Sequence, residues 1–345
     1  MWKTKKNRTL FTTLLLTLLI LLMINISLGS VLIPLNEVFK GILSQKMSKE
    51  SWEIILWNFR FPKAITAILV GMGLSISGLL MQTLFRNPLA GPYVLGLSSG
   101  ASLGVAFIIL GAGLLPLGIA SFFMSNYGLV LASSLGGFLV LIAVLVVSQK
   151  LKDTTAILIV GLMFGSFTSA IVSVLSYFTT AEKLQKFTFW SMGSITNLQW
   201  NEILILSACV FTGLGISFVT IKPLNALLLG EKYAKSIGIN FNKTRLLIIF
   251  ATSILAGSIT AFAGPIAFIG LAVPHIAKIL FQTSNHFILF WSTLLIGAII
   301  MLFCDVIAQV PGKDITLPIN AITSVIGAPI VIYLLMKKKI IYYYV

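Results

Sequence analysis

Hydrophobic residues in this chain fall into long runs rather than the alternating or three-to-four spacing of a half-buried strand or helix. Ten runs stand out, at about residues 10–31, 64–84, 93–110, 129–147, 155–177, 203–219, 246–262, 266–281, 288–308 and 319–336. Most approach the roughly 20 residues that carry a helix across a bilayer. Hydrocarbon offers the backbone no hydrogen bonds, so a span must satisfy its own amides within a helix. The pattern predicts an all-α polytopic membrane protein of about ten transmembrane helices, with 1–345 forming one transmembrane domain. Ser27 and Gly29 would suit a signal peptidase, but the first run is longer than a signal core and is read as a span with its N-terminus inside. Residues 37–58 are predicted to be polar and external.

The longest polar interruption runs from Lys222 to Arg245 and holds Lys222, Glu231, Lys232, Lys235, Lys243 and Arg245. Five of these six charges are basic, which puts the segment on the cytoplasmic face. Pro223 and Asn225 can open a short helix, Gly230 stops it, Glu231 opens a second, and Gly238 ends that one. Two short helices on the membrane surface are expected.

Composition agrees with the pattern: 58% of residues are hydrophobic, only 10% are charged, and mean hydropathy is +1.04. The net charge of +15 is scattered between the runs, without the basic stripe and interleaved aromatics of a nucleic-acid surface. With both termini cytoplasmic, 16 of the 24 basic residues lie inside, including Lys3 and Lys337 to Lys339. Two segments repeat: Ala90-Gly91-Pro92 leads to Gly96-Leu97, and Ala263-Gly264-Pro265 leads to Gly270-Leu271. Each follows the first span of a four-span set, 64–177 and 246–336. One set enters from outside and the other from inside, the inverted repeat of many transporters.

Catalysis is hard to place in this chain. Gly312-Lys313 lacks the upstream glycine and the hydroxyl residue of a phosphate-binding loop, so the chain does not hydrolyse ATP alone. Gly96, Ser98 and Gly100 match a nucleophile elbow, with His275 and His286 as bases, but an elbow needs a strand-to-helix turn. Cys209 and Cys304 share no metal-ligand spacing. An ion-coupled secondary transporter would need ionisable groups at membrane depth, where Asp305 and His275 are the candidates.

The stretch RFPKAITAILVGMGLSISGLLMQTLFRNPLAGPYVLGLSSGA from Arg60 to Ala101 resembles the permease subunit of bacterial importers for iron complexes and cobalamin. LNALLLGEKYAKSIGIN, AGPIAFIGLAVPHIAK and LPINAITSVIGAP are similar to the family's other motifs, in the same order. The resemblance implies a multi-pass permease of the bacterial plasma (inner) membrane, carrying siderophores, haem or cobalamin. It also implies a second permease subunit, identical or related, and a periplasmic or lipid-anchored binding protein. Two cytoplasmic ATPase subunits would hold the ATP and Mg, with no cofactor on this chain.

Carried over residue by residue, the family pattern assigns ATPase coupling to Leu224, Asn225, Gly230, Glu231, Ala234 and Gly238, within 222–245. Docking of the binding protein falls to Arg60 and Lys63. The pathway takes Gln82, Arg86, Asn87 and Ser98, with Thr154 and Thr155 as a gate. For each polar pathway residue a hydrogen bond between helices is an equally good account. A third basic docking position is Gln309 here. The family's acidic residue before Leu-Pro and the glycine after it are Thr316 and Asn320, and Asp314 lies two residues early.

Overall fold

The computed structural model describes residues 5–43, 45–111, 125–150, 154–196, 198–310, 312 and 315–336. Lys3, Lys152, Asp314 and Lys337 to Lys339 lie outside the described residues. So do most of the loop between the third and fourth runs and the side chains of Lys150, Thr154, Thr155, Glu231 and Lys232. Among the described residues all regular structure is helical. The helices are α1 (Lys5–Ser27), α2 (Leu35–Ile42), α3 (Glu50–Ile55), α4 (Phe61–Leu84), α5 (Leu97–Ile109), α6 (Asn126–Lys150), α7 (Thr154–Tyr177) and α8 (Ala181–Ser191). They continue with α9 (Trp200–Val219), α10 (Ile221–Leu227), α11 (Glu231–Ser236), α12 (Phe241–Ala263), α13 (Ile269–Phe281), α14 (His286–Ala308) and α15 (Ile319–Met336). Seven are long and apolar enough to cross a membrane and three more are shorter apolar helices, together matching the ten predicted runs.

Three boundaries differ from the sequence expectation. The third and eighth spans do not begin at 93 and 266. Pro92–Leu95 forms a 3-10 turn and Gly96 sits in the left-handed region, so α5 starts at Leu97. Before α13, Gly264 and Phe268 both have positive φ, which delays the helix to Ile269. The seventh span starts five residues early: the Asn240 side chain accepts from the Lys243 amide, an N-cap that carries Thr244 and Arg245 into α12. Residues 37–58 are not merely a polar external loop either. They contain α3, most of α2 and a wide turn at Leu56–Arg60 that runs into α4.

The chain forms two compact units. One comprises Met1–Leu79, Ser194–Ala208 and Ala267–Val345, the other Leu80–Gly193 and Cys209–Ile266. The chain changes unit within α4, before Ser194, within α9 and before Ala267. In the first unit α4 approaches α14 and α13 where side chains vanish: Gly71 meets the Gly297 carbonyl and Gly78 meets the Gly270 carbonyl. Ser75 adds a hydroxyl bond to the Thr293 carbonyl, 3.1 Å away. In the second unit α5 and α6 use the same device, with Gly100 against Gly136 and Gly104 against the Ala132 carbonyl. Phe187 and Trp190 of α8 cover the Val105 to Leu110 end of α5.

The segment after α2 is clamped by one carboxylate. Glu37 accepts from the Ser48 amide and hydroxyl, both at 2.8 Å, and from Lys40 Nζ at 2.7 Å. These donors, Lys40 first, pull its pKa from 4.5 down to about 2. A carboxyl with a depressed folded pKa stabilises the fold above its unfolded value and loses that contribution as pH falls through the folded one. A spin label at Gln45→Cys should therefore stay immobile at neutral pH and gain mobility between about 4.5 and 2. Glu37→Gln should be mobile already at pH 7, and an unchanged label in that variant would discount the clamp.

Candidate functional site

In the first unit the basic positions named from the resemblance converge on one carboxylate. Asp305 of α14 lies fully inside, with Lys63 Nζ 3.0 Å from Oδ1. Its other oxygen accepts from Asn25 Nδ2 at 2.8 Å and Gln309 Nε2 at 2.9 Å. Gln309 Oε1 accepts from the Arg60 guanidinium at 2.9 Å, and Arg60 also donates to the Leu28 and Val31 carbonyls. Arg60 and Lys63 are thus buried members of a network, not free charges on a rim. Gln309 is what joins Arg60 to Asp305: an amide can accept from a guanidinium, as an arginine cannot. Two cations and one carboxylate leave a formal charge of +1.

The other departure has an internal use too. Asn320 Oδ1 accepts the Ala267 amide at 2.9 Å, satisfying a backbone group in the break before α13, while Thr316 is exposed. His275 has a half-buried side chain on α13, one residue after Pro274.

In the second unit the two expected short helices are present as α10 and α11. Gly230 (φ 111°) and Gly238 (φ 84°) punctuate them. A Cβ would meet no neighbour closer than 4.0 Å at Gly230 and none within 4 Å at Gly238, so it is backbone conformation, not space, that requires glycine there. Leu224 and Ala234 point inward, and Ala226, Leu227, Ala234 and Phe241 share one apolar cluster. The large apolar side chains exposed on this segment are instead Leu229 (66%), Tyr233 (48%) and Ile237 (53%), spaced four residues apart. The family pattern did not single these out. Their signal was the spacing itself, three large apolar residues on one face of a polar segment.

The candidate pathway residues in this unit are largely engaged in local structure. Arg86, with φ 46°, reaches the Leu227 carbonyl of α10 at 2.9 Å. Asn87 builds the turn, accepting the Leu89 amide at 2.9 Å on its side chain and the Ala90 amide at 3.0 Å on its carbonyl. Gln82 is buried near the end of α4, and its carbonyl takes the Asn87 amide at 3.2 Å. Ser98 is half-buried at the start of α5. Arg86 is therefore tied to α10 of the short helix pair.

Helices of membrane-crossing length and composition, with a pair of short helices between two of them, define a multi-pass membrane protein. The chain belongs to the FecCD transport family, whose model matches residues 16–337. It is similar to the vitamin B12 import system permease protein BtuC of Klebsiella pneumoniae, 32% identical over 97% of this chain and 96% of that one. It is likewise 34% identical to BtuC of Salmonella typhi over 83% of this chain and 85% of the relative. A solved inward-facing structure of an ABC transporter assigned to the metal-chelate type superimposes with a TM-score of 0.83. That match has 31% identity and covers 96% of this chain and 99% of the other. These matches make the chain an ABC importer permease of the multi-pass, inner-membrane kind, and the family's permeases are not themselves enzymes.

Removing one partner of a buried ion pair leaves an uncompensated charge and costs about 3–5 kcal/mol, while an apolar pair of similar volume is often tolerated. Asp305→Leu should therefore destabilise the detergent-solubilised protein by about that amount, and Lys63→Met together with Asp305→Leu should recover much of it. Losses that simply add in the double variant would dissolve the proposed pairing. For the same reason, reversing Arg60 and Lys63 to Glu would crowd three carboxylates and report on folding, not docking.

Proposed function

We propose that this chain forms, with a second permease subunit, the translocation pathway of an ATP-driven importer for iron complexes (siderophore or haem) or cobalamin. The observation that carries the proposal is the element from Ile221 to Ile237, two short helices whose connector, second helix and C-cap expose Leu229, Tyr233 and Ile237 in turn. A chain of this family without a nucleotide site must receive its work from outside, and a stiff element with an exposed apolar face is a suitable receptor for an ATPase subunit. Gly230 and Gly238 shape it, Leu224 and Ala234 hold it together, and Asn225 and Glu231 lie along it. ATP and Mg belong to that partner.

Vitamin B12 import in the BtuC relatives and the metal-chelate type of the structural neighbour support the cargo class. We place both termini in the cytoplasm and the Arg60–Asp305 cluster on the outer face. There its net single positive charge would meet an acidic binding protein, periplasmic or lipid-anchored. Gln82, Asn87 and Ser98 remain the pathway candidates, with Thr154 and Thr155 at the gate and Arg86 linking the α4–α5 turn to the coupling helices. Two breaks followed by 13-residue apolar helices, α5 and α13, support an inverted repeat. The ion-coupled alternative loses its carrier, because both oxygens of Asp305 are already engaged.

Burying a charge at a contact hot spot costs about 2 kcal/mol or more, some thirtyfold in affinity. Tyr233→Asp and Ile237→Asp should each weaken co-purification of the cognate ATPase by that factor and abolish ATP-driven uptake, with membrane insertion unchanged. Gly230→Pro should do the same by breaking the turn. Normal ATPase association in all three, or uptake driven by a proton gradient without the ATPase, would overturn the proposal.

A further inference from the structure

The outward surface of α2 is of a kind that water does not keep. Around this helix three sectors follow one another. Glu37, Val38 and Gly41 are buried against the protein. Asn36 is exposed and Lys40 half-exposed, forming a narrow polar sector. Leu35, Phe39 and Ile42 fill the remaining sector, separated by four and three residues and all exposed; Leu43 extends it at the C-terminal end. The carboxylate is turned inward and the apolar face outward, the reverse of a helix on a soluble surface.

A helix with one face on protein, one polar and one apolar fits a single environment, the plane of a membrane interface. We propose that α2 is an interfacial helix, its Leu35–Phe39–Ile42 face seated in the acyl region of the leaflet that receives the end of α1. Two further observations favour lipid over a protein partner. The face is continuous in sequence and packing with α1, a membrane-crossing helix whose Leu15, Leu16, Leu19 and Ile20 are themselves exposed and apolar. Beside it, Lys40, Lys46 and Lys49 supply cations at the level where anionic headgroups lie, with Lys49 4.9 Å over the Trp52 ring. That this leaflet is the outer one rests on the orientation proposed above; the interfacial seat itself does not.

The consequence is an anchored outer mouth. The segment from α2 through α3 leads to Arg60, so lipid contact at Phe39 holds the approach to the buried cluster at a fixed depth.

The test uses the full chain in liposomes of phosphatidylethanolamine and phosphatidylglycerol, with Cys209→Ala and a spin label at Leu35→Cys, Phe39→Cys or Ile42→Cys in turn. Lys46→Cys and Lys49→Cys serve as aqueous controls. Collisions with oxygen, which concentrates in lipid, should exceed those with a water-soluble nickel chelate at 35, 39 and 42, and the order should reverse at 46 and 49. Nickel access at 39 equal to that at 46 would overturn the proposal. Shielding at 39 from both reagents would also overturn it, by showing a second copy on this face. So would nickel access lost only when the cognate binding protein is added, which would make the face a docking surface.

Discussion

Every backbone N–H and C=O that leaves its helix inside hydrocarbon must find another partner, and the irregular parts of this structure are arranged around that requirement. Where α12 gives way to α13, the Ile266 amide reaches the Tyr93 hydroxyl at 3.4 Å and the Ala267 amide reaches Asn320 at 2.9 Å. Where α4 turns towards α5, Asn87 supplies an acceptor to Leu89. At the end of α1, the Ile33 amide donates to the Ser27 carbonyl at 3.1 Å and the Ser27 hydroxyl donates to the Ile33 carbonyl at 2.6 Å. A polar residue at a break is thus first a replacement for a lost helical bond. Asn87, a pathway candidate in the sequence, has this turn-building role as well.

Charges obey the same logic at higher cost. Helix α1 lies largely exposed, so close packing alone does not explain how its C-terminal end is held. The polar network does that work: Asn25 on Asp305, and the Leu28 and Val31 carbonyls on Arg60. The Gly29 carbonyl adds the Gly312 amide at 3.2 Å. Asp305 therefore gathers α1, α4 and α14 into one place, and Gln309 completes the set by serving as donor to the carboxylate and acceptor from the guanidinium. An arginine at 309 would have offered donors only and left three cations around one carboxylate.

How much of this was legible in the sequence depended on whether the signal was local. The ten apolar runs were, because span length is a property of a contiguous stretch. So was the punctuation of 222–238, because Gly230 and Gly238 need φ values that few other residues adopt. The starts of α5, α12 and α13 were less legible, since Asn240 capping and the positive φ of Phe268 are not written in hydropathy. Least legible was the fate of Arg60 and Lys63. Their neutralising partner lies more than 240 residues away along the chain, and a basic pair at the mouth of a span reads as exposed until Asp305 and Gln309 are placed beside it. In the coupling segment burial was not legible either: the matched positions Leu224 and Ala234 lie inside, while Leu229, Tyr233 and Ile237 are its exposed large apolar side chains.

That division of labour bears on how work would travel through the second unit. Ala226, Leu227, Ala234 and Phe241 draw on α10, α11 and the first turn of α12, so a push on Tyr233 or Ile237 meets one packed body, not a hinge. Lys235 and Arg245 lie 5.9 and 6.0 Å from the Phe241 ring and stiffen the same corner. From this body a single charge-assisted bond, Arg86 to the Leu227 carbonyl, reaches the turn that ends α4 and introduces α5. Such bonds contribute about 1.5–3 kcal/mol, enough to keep the turn registered with α10 but small beside the burial that holds α5 on α6. Displacement of the helix pair would therefore reach the start of α5 first, where Gly96 sits in the left-handed region and Leu97 begins the helix.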